Sequence, residues 1–169
     1  MGTLDGQGHV IKNLTITGER DTAGLIGYIA RPYASTAESS LKNLGLEDVN
    51  ININGGTDVN VGALLVDNQR GHVTVSNCYV TGSISASGST VYAGGLVGLS
   101  TGYNPGGRLT MRDCYSTATI NVTATTFNGD LGGPAIIVAG KAYAGGVVSR
   151  AHDADIITHA ADIAGALSL

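Results

Sequence analysis

The stretch Val75-Ser76-Asn77-Cys78-Tyr79-Val80-Thr81-Gly82-Ser83-Ile84 decides the fold, because its pattern returns as Met111-Arg112-Asp113-Cys114-Tyr115-Ser116-Thr117-Ala118-Thr119-Ile120. In each, an apolar residue, any residue, Asn or Asp, and Leu or Cys precede a run that alternates with period two, the signature of a strand with one buried face. Shorter versions stand at Ile11-Lys12-Asn13-Leu14 and Leu41-Lys42-Asn43-Leu44. The Asn or Asp positions are 30, 34 and 36 residues apart. A second phrase closes each unit: Ala23-Gly24-Leu25-Ile26-Gly27, Gly62-Ala63-Leu64-Leu65, Gly94-Gly95-Leu96-Val97-Gly98 and Gly145-Gly146-Val147-Val148-Ser149. A degraded fifth unit spans Ile156 to Ile163, with His159 and Ala160 in the Asn and Leu slots.

Units of this length, made of short strands and glycine turns, point to a solenoid or a propeller. There is no Trp to supply a blade signature, and the unit length varies, which a solenoid absorbs by looping outward. Stacked coils place like residues above like at about 4.8 Å. Leu14, Leu44, Cys78, Cys114 and Ala160 are then expected to form one inward ladder, and Leu25, Leu64, Leu96 and Val147 another. Asn13, Asn43, Asn77 and Asp113 are expected to form a polar ladder at a corner. The expected architecture is an all-β, right-handed parallel β-helix of about four to five irregular coils, a single domain over residues 1–169 with an insertion at 123–141.

Composition agrees. Glycine takes 26 of 169 positions, roughly twice its usual ~7% share. A helical bundle would lose about 1 kcal/mol for each such glycine relative to alanine. Charged residues are 13% of the chain, and the net charge is −4. The nine Lys and Arg are scattered, so nucleic acid is not an expected partner. No apolar run is long enough for a membrane-spanning helix.

The phrases Gly2-Thr3-Leu4-Asp5-Gly6-Gln7-Gly8-His9-Val10-Ile11-Lys12-Asn13-Leu14, Ser76-Asn77-Cys78-Tyr79-Val80-Thr81-Gly82 and Ala93-Gly94-Gly95-Leu96-Val97-Gly98 resemble the GLUG repeat of large secreted and cell-surface bacterial proteins. Those proteins include haemagglutinin-like adhesins and IgA-cleaving metallopeptidases. The resemblance covers roughly residues 2 to 120 and implies a parallel β-helix. It carries no catalytic motif. The zinc signature of the peptidases, His-Glu-x-x-His, does not occur here.

Candidate sites are few. Cys78 and Cys114 share a repeat position with Leu14 and Leu44, which makes them core residues first and a disulfide as the lesser alternative. His152, Asp153, Asp155 and His159 are the densest metal-capable set, but the repeats place His152 to Ala154 in a turn. His9 and His72 follow glycine turns, and neither has a Ser or Cys nucleophile placed beside it by motif. Glu47-Asp48 is the only adjacent acidic pair, expected on a solvated strand edge. Asp21, Asp58, Asp67, Asp130 and Asp153 are expected in loops. Tyr79 and Tyr115 share one repeat position beside the inward cysteines, so they should point outward and stack on each other. The insertion holds Phe127, the only Phe, and either loops out or adds a hairpin. Tyr79, Tyr115 and Phe127 are thus the candidate recognition residues, with Ala30 to Ser39 as a second excursion.

The expected function is non-catalytic and cofactor-free: a structural or adhesive module, extracellular or on a cell surface, binding a host or neighbouring-cell protein or glycan through its loops. The alternative is a glycan-active β-helical enzyme, or an accessory domain of a secreted peptidase. Neither end of the chain carries a charged cap, so a longer parent chain or end-to-end contact is also expected.

Overall fold

The computed structural model describes residues 2–30, 37–101, 108–124, 127–129, 136–138, 141–146, 148–151 and 154–157. Every element there is a β-strand. The first coil holds β1 (Thr3–Asp5), β2 (Val10–Lys12), β3 (Thr15–Glu19), β4 (Thr22–Ala23) and β5 (Ile26–Ala30). The second holds β6 (Glu38–Asn54), β7 (Asp58–Gly62) and β8 (Leu65–Gln69). The third repeats this as β9 (His72–Gly88), β10 (Thr90–Gly94) and β11 (Val97–Thr101). Then follow β12 (Arg108–Arg112), β13 (Tyr115–Ser116), β14 (Thr119–Ala124), β15 (Phe127–Gly129), β16 (Ile136–Val138), β17 (Lys141–Gly145), β18 (Val148–Ala151) and β19 (Ala154–Ile157).

Three parallel sheets run up the stack. The long one orders β1-β6-β9-β12-β19, with β2 and β3 also on β6 and with β13 and β14 on β9. The other two order β17-β10-β7-β4 and β18-β11-β8-β5. This is a parallel β-solenoid of about three turns, fewer than the four to five coils expected from the repeats. The insertion takes the hairpin alternative: β15 and β16 pair antiparallel, Phe127 opposite Val138.

Alternation decides what the sheets enclose. Ile16, Ile51, Ile84 and Ile120 lie in direct register along the long sheet. Ile51 and Ile84 are fully buried, while the flanking Ile16 and Ile120 are half-buried. Each full burial stabilises by roughly 1.5–3 kcal/mol relative to exposure. Leu41, Val75 and Met111 form a second inward row, and Val59 with Val91 a third. Leu64 and Leu96 are buried and Leu25 packs against them, while Val147 lies outside the described residues.

Corners need backbone that most L-residues resist. Asn43, Asn77 and Asp113 have φ of 55°, 51° and 52°. Asn and Asp are the non-glycine residues that most readily enter this left-handed region. The side chains also bond vertically: Asn77 Nδ2 donates to Asn43 Oδ1 at 2.9 Å, and Asn43 Nδ2 donates to Asp5 Oδ1 at 2.9 Å.

The first unit departs from the expected alignment. Asn13 does not stand under Asn43; Lys12 pairs with Glu47 and Thr15 with Asn50, which sets Asn13 opposite Asp48 at a second corner. Both residues are left-handed, with φ 58° and 55°. Leu14 therefore lies beneath Val49 rather than in the Leu44, Cys78 and Cys114 row. The reason is Gly6-Gln7-Gly8, which makes the first corner with its own left-handed pair, Gln7 and Gly8. Gly8 N–H donates to the Asn43 carbonyl at 2.9 Å. Two corners with one chemistry made the local match ambiguous.

Candidate functional site

Cys78 and Cys114 are buried, free thiols, as core residues should be. Their sulfurs donate to backbone carbonyls, Cys78 to Ser76 at 3.3 Å and Cys114 to Arg112 at 3.1 Å. The neighbouring Cys78 sulfur and burial both push the Cys114 thiol up, so it stays protonated and unreactive. His152, Asp153 and His159 lie outside the described residues. Among the described residues, no three His, Cys, Asp or Glu side chains come together as a metal site.

Asp67 corrects an expectation. It lies in β8, not in a loop, and is only 3% exposed. Gln69 Nε2 donates to its Oδ2 at 2.9 Å, but Oδ1 has no partner. Burial pushes its carboxyl up from the ordinary value, against the Gln69 hydrogen bond. Its neighbour Asn68 is fully satisfied: Nδ2 donates to the Gly71 carbonyl and to Ser100 Oγ, and Oδ1 accepts from Gly71 N–H. A polar Asp-Asn pair resembles turn sequence, and here both of its residues are buried rungs of β8.

The outward face of the long sheet carries the remaining polar groups, and the Asn77 corner divides it in two. On one side, Tyr79 and Tyr115 are register partners. Their rings stack with centroids 5.1 Å apart and 5° between planes. Tyr115 is 45% exposed. Below them stands Gly45, the register partner of Tyr79, and a Cβ there would run into the Tyr79 ring. The missing side chain lets the ring lie flat across β6. The phenol then reaches Glu47, donating to Oε1 at 2.7 Å, while Lys12 Nζ holds Oε2 at 2.9 Å. Sequence reading found the two tyrosines from their shared repeat position. It missed the Gly45 seat, whose signal was a small residue in the same slot.

This network sets protonation states. Lys12 and the Tyr79 hydroxyl hold Glu47 below the ordinary carboxylate value, and Glu47 pushes the Tyr79 phenol up. Glu47 is thus an engaged, ionised carboxylate, whereas a glycosidic general acid needs a raised pKa. Asp48 does not join it: its backbone N–H donates to Thr81 Oγ1 at 3.0 Å, and its side chain is exposed. Phe127 lies on the backbone of β15, and the placement of its ring is outside the described structure.

On the other side of the corner, the outward rows are Glu38-His72-Arg108, then Ser40-Thr74-Thr110, then Lys42-Ser76-Arg112. All of these but Ser40 and Lys42 border a shallow groove of about 400 Å³. Sequence reading placed His72 in a turn and left the two arginines unassigned, because they come from a coil 36 residues further along the chain.

The fold class is therefore a parallel β-solenoid with two differently furnished patches on its widest sheet. No protein-family model, curated protein sequence or solved structure matches the chain. Among the described residues, no helix is long and apolar enough to cross a membrane.

Proposed function

We propose that this chain is a structural and adhesive β-solenoid module of a bacterial secreted or cell-surface protein, of the GLUG-repeat kind, which binds a host or neighbouring-cell protein or glycan through its outward side chains. The observation that carries this reading is the Tyr79–Tyr115 stack. A flat, rigid aromatic pair, with Tyr115 exposed over a half-buried Tyr79, is a contact surface with little rotamer freedom left to lose on binding. The scaffold supports it, since stacked coils hold the rings in fixed register without dedicated packing. Glu47 favours the non-catalytic form, because its carboxylate is ion-paired and hydrogen-bonded rather than poised to give a proton.

Array binding to glycans and matrix proteins tests the proposal. The chain should retain at least one ligand, and Tyr115→Ala should weaken that binding by about ten-fold or more. Retention of every array ligand at full affinity by the variant, or release of reducing ends from a polysaccharide by the unaltered chain, would overturn it.

A further inference from the structure

We infer that the groove across β6, β9 and β12 is a binding site for an acidic oligosaccharide, anchored at its Arg112 end. The inference rests on the surface-binding reading above and gives it a second, separate site with a ligand class.

The groove is built by register alone. Val73, Val75, Leu109 and Met111 point into the core, so the alternate residues on the same strands must face outward. Arg108 and Arg112 are both exposed and four residues apart, so their Cα atoms lie about 13 Å from each other along β12. Between them the floor is hydroxyl: Thr74 and Thr110 in the middle row, Ser76 beside Arg112. An exposed guanidinium at the Arg112 end of a hydroxyl-lined trough suits an extended chain that is rich in hydroxyls and carries an anion. Guanidinium groups take carboxylates or sulfates in bidentate fashion.

Two observations narrow the ligand. β9 pairs with β6 on one side and β12 on the other, so its backbone is used and a peptide cannot add as a strand. Only side chains are on offer, and among the described residues that line the groove the outward ones are polar, which gives a peptide no apolar anchor there. Glu38 shares the far row with His72 and Arg108. Its carboxylate opposes an anion there and directs the ligand's charge toward Arg112. The chain's net charge of −4 makes such a cationic spot local rather than general.

Titration calorimetry of the whole 169-residue chain tests this with three probes of equal length: oligogalacturonate, a heparin-derived oligosaccharide and a neutral glucan. Binding of one or both acidic probes and not the glucan is expected. Oligogalacturonate binding would assign the carboxylate as the recognised group, and heparin binding alone the sulfate. Arg112→Gln should weaken binding about ten-fold or more, and Arg112→Lys less, because the charge survives and the fork is lost. Arg112 is exposed, so unchanged thermal melting of both variants will confirm that they fold. Tyr115→Ala should leave this binding unchanged. Equal binding of acidic and neutral probes, no binding of either acidic probe, or full affinity in Arg112→Gln would each overturn the groove assignment. If array binding still falls with Tyr115→Ala in that case, the surface-binding reading stands without the groove.

Discussion

Asn43 shows how much one corner residue carries. Its backbone is left-handed, and its side chain links Asn77 above to Asp5 below. Alanine at this position would meet the left-handed penalty of about 1–2 kcal/mol and lose both side-chain bonds. Glycine would lose the bonds but keep the conformation. Denaturant unfolding should therefore rank Asn43→Ala as clearly less stable than Asn43→Gly, with both below the parent. Asp67 gives the second test at this scale. Its carboxyl is raised by burial, so its contribution to stability is fully present below the unfolded value and is lost as pH rises through the folded value. Asp67→Asn removes that loss. Urea unfolding from about pH 4 to about pH 7 should show the variant gaining on the parent as pH rises. Equal pH slopes would contradict this. Asn43 was legible from its repeat position and its residue type. Asp67 was not, because a buried carboxylate and a turn carboxylate look alike in one dimension.

At the level of elements, the strand pair β6 and β9 seats the tyrosine stack. Gly45 lies under Tyr79 by register, and Tyr115 lies over it. Gly45→Ala places a methyl where the ring lies, so the ring must lift away from β6. The Tyr79–Glu47 bond should break, and the near-ultraviolet tyrosine dichroism should fall. The stack itself is worth about 0.5–1.5 kcal/mol, which a Tyr79/Tyr115 double-mutant cycle in denaturant would measure. Strands and their inward faces were readable because period-two alternation reports burial directly. The first-coil register was not. Asn13 and Asn43 match each other in local sequence, yet Asn13 pairs with Asp48, since the chain turns a left-handed corner twice in each of the first two coils of this sheet. Local phrases cannot number the corners; hydrogen bonding between coils does.

For the whole molecule, stability is distributed along a stack in which each coil touches only its neighbours. The isoleucine row makes this measurable. Ile51→Ala or Ile84→Ala should cost about 2–5 kcal/mol, because each removes a fully buried side chain between two coils. Ile16→Ala should cost less, as Ile16 is half-buried with a described neighbour on one side only. Acid acts on the stack through its vertical ion pairs. Asp5 is lowered by Asn43, the Gln7 N–H and Lys42, and Glu47 by Lys12 and Tyr79. Both contribute stability above the unfolded carboxylate values that is lost as pH falls through the folded ones. This runs opposite to Asp67, so the stability profile should pass through a maximum in mild acid.

Sequence by itself determined the strand class, the repeat, the cysteine core and the outward tyrosines. Each follows from residue type and spacing, which burial and left-handed corners impose locally. Tertiary structure alone decided the number of turns, the partner of Asn13, the burial of Asp67 and the trough between Arg108 and Arg112. These depend on which residues lie one coil apart, a distance of about 4.8 Å in space that a single sequence displays only as some thirty residues of chain.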